Sequence, residues 1–208
     1  MEPEDGFPEG TFDRQDESDD ARFYGAARLV AHIDGTTIHA LTEAYRELLP
    51  AGGAVLDLMS SWISHLPHDV RYERVAGLGM NELELARNPR LDDHLVHDLN
   101  REPELPYPAA SFDAVVNAVS VQYLTRPVEV FRSVARVLRP GGLHVVAMSH
   151  RCFPTKAVRA FHYLDRDGRF GLVRRYFERA TGYDAAETLD RSPAAGDPLW
   201  LVVARRVS

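Results

Sequence analysis

The sequence predicts an α/β fold, a mostly parallel sheet with helices on both faces. Two observations carry this expectation. Short apolar runs alternate along the chain with segments of helical period, and those runs are apolar throughout rather than at every second residue. A strand with one face in water alternates, whereas a strand covered on both faces does not, and parallel sheets are covered on both faces.

The elements follow in order. Residues 1–21 are acidic, rich in Pro and Gly, and hold Arg14 as their only base. They read as a mobile tail, from which Phe12 could still dock, ahead of a domain spanning 22–208. The stretch 22–33 mixes apolar and polar residues, as a short helix or a lid would. Thr36 or Thr37 can cap a helix whose core stripe is Ile38, Leu41, Tyr45 and Leu48, ended by Pro50 and the Gly52–Gly53 pair. Residues 54–58 make the first buried strand and 74–78 the second. Asn81 can cap a helix over 82–87, which Asn88 and Pro89 stop. Residues 94–97 form a third strand, leading into Asp98, Leu99 and Asn100. Pro103, Pro106 and Pro108 make 101–111 a loop, and 112–119 a fourth strand follows. Pro127 suits the first turn of a helix, whose stripe is Val130, Val134, Val137 and Leu138 and which Pro140–Gly141–Gly142 ends. A fifth strand over 143–148, helices over 156–164 and 170–180, and a last strand over 199–204 complete the chain.

Composition narrows the function. The 208 residues suit one domain with a sizeable core. A net charge of -7 argues against broad nucleic-acid binding, which needs basic surface to neutralise phosphates. No apolar run is long enough for a membrane span, and the start lacks the basic and apolar segments of a secretory signal. The single cysteine, Cys152, reads as a small buried residue, cannot form an internal disulfide, and fits the cytoplasm. His65, His68 and Asp69 lack a ligand framework elsewhere, so no metal is expected.

Ligands of parallel sheets bind beyond the carboxyl ends of the strands, where strand order reverses. The residues there are Met59, Ser60 and Ser61; Gly79, Met80 and Asn81; Asp98 and Leu99; Ser120, Gln122 and Tyr123; and His150 and Arg151. Asp57 can cap its turn or meet a ligand, and Asp98 can cap its loop or do the same. Ser60 and Ser61 can contact a ligand or simply shape a turn. His150 is the candidate base, with an imidazole that titrates near neutral pH, ahead of His32 and His65. Arg151 and Lys156 can hold an acidic substrate or serve the surface, and Tyr24 and Arg28 can close over the site as a lid. Trp62 reads as a packed aromatic.

Three blocks make the resemblance specific. They are Ala54-Val55-Leu56-Asp57-Leu58, the pair Leu105-Pro106-Tyr107-Pro108 and Ser111-Phe112-Asp113-Ala114-Val115, and the run from Val134 to Gly142. Over 48–148 the chain resembles the class I S-adenosylmethionine-dependent methyltransferases of the type 11 group. The resemblance implies a Rossmann-like three-layer α/β/α sandwich with seven strands, the last antiparallel. It implies methyl transfer from S-adenosylmethionine to a small-molecule acceptor. It implies a donor site of Asp57, Leu58, Met59, Ser60, Ser61, Gly79, Met80, Asn81, Asp98, Leu99 and Ser120, in which Asp98 and the Leu99 amide read the adenine and Leu78 and Met80 pack on it. The acceptor side would be Gln122, Tyr123, Tyr24, Arg28 and Arg151.

The chain departs from that group at two places. Relatives carry a glycine-rich turn after the first strand, where Met59, Ser61 and Ile63 stand here. They end the second strand with an acid for the ribose hydroxyls, where Gly79 stands here, leaving Asn81 or Asp57 to supply one such bond. The alternative to catalysis is therefore a methyltransferase-fold binding or partner module. A dinucleotide dehydrogenase is disfavoured, because no G-x-G-x-x-G follows Leu58 to seat a pyrophosphate.

Overall fold

The computed structural model describes residues 6–208. Its elements are α1 (Asp20–Tyr24), α2 (Gly35–Leu48), β1 (Ala54–Leu58), β2 (Arg74–Gly79), α3 (Glu82–Ala86), β3 (Asp93–Val96), β4 (Phe112–Ala118), α4 (Pro127–Val137), β5 (Leu138–Met148), α5 (Arg159–Tyr163), α6 (Arg166–Ala180), β6 (Glu187–Asp190) and β7 (Trp200–Arg205). One seven-stranded sheet runs in the order β3-β2-β1-β4-β5-β7-β6. β1 to β5 are parallel, and β7 is antiparallel to both of its neighbours. The sheet is the seven-stranded, mostly parallel one that was expected, with β7 antiparallel.

Alternation of side chains across β1 builds two cores from one strand. Leu56 and Leu58 join Val115, Phe131, Tyr176 and Phe177 on the face that α4 and α6 cover. Val55 joins Val116, Val145, Leu41 and Tyr45 on the face that α2 covers. Every residue of β1 is buried, which is why its sequence does not alternate.

Local signals set most of the ends. Asn81 accepts from the Glu84 amide and caps α3, and Pro127 opens α4. The cap of α2 is Asp34 rather than Thr36 or Thr37, because its longer reach lets one carboxylate take both threonine amides. β5 begins at Leu138, directly after α4, instead of at 143. Residues 139–142 bulge out between the pairs Phe112–Leu138 and Ala114–Leu143, and Gly141 at φ 78° makes that bulge possible. β6 has no counterpart in the sequence reading, because its four residues, Glu-Thr-Leu-Asp, form an exposed edge with no apolar run.

The expectation of a mobile tail is corrected over 6–21; residues 1–5 lie outside the described residues. Phe7 is buried, with its ring against Phe12 and Tyr176. Lys156 is the only lysine of the chain and is fully buried. Its Nζ meets Asp20 at 3.0 Å and Asp16 at 3.3 Å, and donates to the Asp16 and Ser18 carbonyls. Arg14 reaches both carboxylate oxygens of Asp20, at 2.8 and 2.9 Å. Part of the acidity that reads as disorder in a free chain, at Asp16 and Asp20, is here paired with one buried ammonium and one guanidinium. The segment is a strap ending in α1.

Removing one partner of a buried pair leaves the other charge uncompensated and costs about 3 kcal/mol or more. Lys156→Ala is therefore expected to lower stability by about 3 kcal/mol and to expose Arg14 to trypsin. Thermal denaturation and limited digestion check this, and an unchanged melting temperature with Arg14 uncut would contradict it.

Candidate functional site

A cleft of about 1100 Å³, counted out to its mouth, opens at the carboxyl ends of β1, β2, β3 and β4. The sheet reverses direction of growth between β1 and β4, which leaves a crevice because the connections on either side leave toward opposite faces.

The floor is the turn after β1. Asp57 is buried and accepts the Ser60 hydroxyl at 2.5 Å. Met59 takes φ 58°, the left-handed conformation that glycine adopts freely and a methionine adopts at a cost. The turn that relatives build with glycine is thus present in the backbone without the glycine. It folds the Ser60 amide onto the Leu78 carbonyl at 2.8 Å. A Cβ on Gly79 would lie 2.2 Å from the Ser60 carbonyl oxygen. Gly79 is required by this close approach, so no acid can stand there.

A carboxylate reaches the same rim from elsewhere. Glu84, in the first turn of α3, accepts the Ser61 hydroxyl at 2.6 Å and the Arg28 amide at 2.5 Å. Asn81 followed by Glu84 has the spacing of a capping box, in which the acid would turn back to its own helix. Here it turns across the cleft, and only that spacing could have drawn attention to it. Asn81 itself is spent: it caps α3, and its amide donates to the Tyr24 and Gly25 carbonyls, pinning the strap.

Asp98 lines the cleft and accepts the Asn100 and Arg101 amides, so capping is the role its contacts define. Leu99, Leu78 and Met80 give the neighbouring apolar surface. Ser120, Tyr123, Tyr24 and Arg28 line the opposite side, with the Ser120 hydroxyl donating to Asn117.

Four expected site residues lie elsewhere. Leu58 is in the core. Gln122 is buried and donates to the Val119 and Arg151 carbonyls. His150 and Arg151 are exposed and turn to Asp197, with His150 Nε2 3.0 Å from its carboxylate. β7 lies beside β5, and the loop before it carries Asp197 to the end of β5, drawing both side chains away from the cleft. Neither His150 nor Gln122 nor Arg151 lines it. Cys152 is exposed, not buried.

The cleft instead gathers Asp20, His32, His65, Asn100 and Phe153. In the sequence His32 and His65 rank only as lesser bases, and Phe153 lies in the run 151–156 that follows β5. Burial holds the His65 imidazole down to about 4 and lowers His32 as well, so both are neutral near pH 7. Burial pushes the Asp57 carboxyl up to about 7, against the lowering effect of the Ser60 and Ser64 hydroxyls. Among the described residues no cation is paired with this carboxyl, and burial favours its neutral form.

Comparison with known proteins agrees with this geometry. Residues 63–146 match the methyltransferase domain family. A stretch of 74 residues is 40% identical to the 27-O-demethylrifamycin SV methyltransferase of Amycolatopsis mediterranei, covering 33% of this chain and 27% of that protein. The chain therefore spans about a quarter of that relative's length. Among solved structures, the (4+2)-cyclase SpnF superimposes with TM-score 0.60 at 18% identity, over 80% of each chain. An S-adenosylmethionine-dependent methyltransferase of Mesorhizobium loti does so with TM-score 0.59 at 21% identity, over 83% of this chain and all of that one. Residues 63–146 are thus similar in sequence to that family, and the chain shares the fold of the superimposed structures.

An acid whose folded pKa lies above its unfolded value stabilises most below the unfolded value, and that contribution is lost as pH rises through the folded one. For Asp57 the window runs from 3.8 to about 7. Asp57→Asn should gain melting temperature relative to the parent as pH rises through this window. A difference that does not change with pH would contradict the buried, unpaired carboxyl.

Proposed function

We propose that the chain transfers a methyl group from S-adenosylmethionine to a small-molecule acceptor. The observation that carries this reading is the cleft at the sheet's reversal point, with the buried, cation-free Asp57 at its floor and a second carboxylate, Glu84, at its rim. S-adenosylmethionine, when bound, supplies a methyl group on a positively charged sulfur, already activated for displacement.

The residues present fit that donor. Asp57 has no cation of its own and would accept from the donor's ammonium. Glu84 would take the ribose hydroxyls, the part that a strand-two acid plays in relatives and that Gly79 cannot play. The Leu99 amide and Asp98 would meet the adenine edge, with Leu78 and Met80 on its faces. The turn 59–61 keeps its backbone close to the ligand because Met59 holds the left-handed conformation. Trp62 does not obstruct the cleft, since its indole donates to the Val30 carbonyl at 3.0 Å. That supports ligand binding over the alternative of a binding or partner module.

The protein's contribution is then mainly alignment and exclusion of water, which can supply much of the rate when the donor is activated. Tyr24 and Arg28, on and beside the strap, line the cleft and would help to close it around an acceptor. With His150 turned away to Asp197, no base is assigned at that position. The net charge of -7 favours a small molecule over a nucleic acid as the acceptor. The relative from Amycolatopsis acts on 27-O-demethylrifamycin SV, itself a small molecule. We place the protein in the cytoplasm, where its one exposed thiol would stay reduced. No helix among the described residues is long and apolar enough to cross a membrane.

Isothermal titration with S-adenosylhomocysteine tests the reading. The native chain is expected to bind, and Glu84→Gln to lose roughly tenfold in affinity, as fits a hydrogen bond to a charged group. Gly79→Asp, which restores the relatives' acid, should not tighten binding and should cost about 2 kcal/mol of stability through overpacking. No binding at millimolar ligand would overturn the proposal, and an unaffected Glu84→Gln would remove Glu84 from it.

A further inference from the structure

The far side of the cleft is an aromatic wall. Tyr123 and Phe153 are stacked with centroids 5.9 Å apart. Tyr24 stands edge-on to both, at 6.4 and 6.5 Å, and His32 edge-on to Phe153 at 5.4 Å. Tyr123 is tied down, because its hydroxyl accepts the Phe153 amide at 2.8 Å. Tyr24 is not. Its hydroxyl is buried with no partner among the described residues, and so is Nδ1 of His65. Tyr45, Tyr72 and Tyr176 also bury unpartnered hydroxyls, but of these four tyrosines only Tyr24 lines the cleft.

A buried polar atom without a partner costs the fold free energy that packing elsewhere must offset. At two places on one cleft wall, that cost is recovered if a ligand supplies the missing partners. The charged groups around the wall are already engaged. Asp20 is held by Arg14, Lys156 and Asn100. Glu84 accepts the Ser61 hydroxyl and the Arg28 backbone amide, one on each oxygen, and keeps the remaining lone pairs that the donor reading uses. The Arg28 guanidinium lies over the Phe23 ring at 4.4 Å and the Phe153 ring at 5.6 Å.

We propose that the wall of Tyr24, Tyr123, Phe153, His32 and His65 is the acceptor subsite and that it selects an uncharged hydroxyl on a flat, apolar body. This rests on the donor reading given above. A neutral hydroxyl can meet either unpartnered atom, because it can both donate and accept. Burial keeps the Tyr24 phenol protonated and the His65 imidazole uncharged, so the subsite presents no charge of its own. A carboxylate or an ammonium entering between these rings would be stripped of water with no charged group among the five wall residues to meet it. The flat rings favour a planar body stacked or edge-on against them.

Three probes of one shape test the selection: 2-naphthol, 2-naphthoate and 2-naphthylmethylamine, a cation at neutral pH. Each is titrated calorimetrically into the full chain saturated with S-adenosylhomocysteine. The expected result is binding of 2-naphthol with at least about tenfold preference over both charged probes. Tyr24→Phe should weaken 2-naphthol by about fivefold to tenfold while leaving the melting temperature equal or higher, because the hydroxyl has no partner to lose. A purely structural tyrosine would show the reverse, a lower melting temperature and unchanged affinity, and that overturns the proposal. Equal or tighter binding of a charged probe, or no binding of 2-naphthol, overturns the subsite while donor binding stands. Failure of S-adenosylhomocysteine itself to bind overturns the donor reading, and this proposal with it.

Discussion

The arrangement depends on one close approach, that of the turn after β1 to the end of β2. The Ser60 amide reaches the Leu78 carbonyl, and the Ser60 carbonyl sits where a side chain at residue 79 would begin. That contact fixes Gly79, forces Met59 into the left-handed region, and lays the backbone of 59–61 along the cleft floor. It also places the Ser60 hydroxyl on Asp57 and the Ser61 hydroxyl on Glu84. A residue with a Cβ would open this contact and with it the floor. The absence of an acid at the end of β2 is therefore a steric consequence of how the first turn packs, and Glu84 brings a carboxylate to the same rim by another route.

The second layer of organisation is the strap. A buried ammonium is costly unless paired, and Lys156 is paired twice and hydrogen-bonded twice by residues 16–20. Asn81 adds two hydrogen bonds to the strap's end at Tyr24 and Gly25. Asn100 ties Asp20 to the Tyr123 carbonyl and the Thr125 amide. The strap, the β2 end and the β3 end are thus one hydrogen-bonded unit around the cleft, and Tyr24 is carried into the cleft wall by its position on that unit.

The sequence made the sheet legible because burial on both faces writes itself as unbroken apolar runs, as in Val145, Val146, Ala147 and Met148. It hid β6, whose exposed edge needs no apolar residue. It misjudged 6–21, because charge density reads as disorder until the partners, Lys156 far along the chain above all, are brought alongside. That Asp57, Ser60, Gly79, Asp98 and Tyr123 line the cleft was legible from their place at or just after strand ends. His150 was misplaced because no local signal announces that Asp197, 47 residues later, will capture it. Glu84, His65 and Phe153 enter through tertiary packing, and Met59 through a backbone angle that its side chain disguises.

Hydrogen–deuterium exchange of the native chain, with and without S-adenosylhomocysteine, tests the central claim most directly, because it reports where the ligand acts without requiring the acceptor. The account predicts slowed exchange at the amides of 59–61, 79–84 and 98–100, the three segments that the cleft floor and rim join. Unchanged exchange at those segments, or protection confined to other parts of the chain, would contradict it.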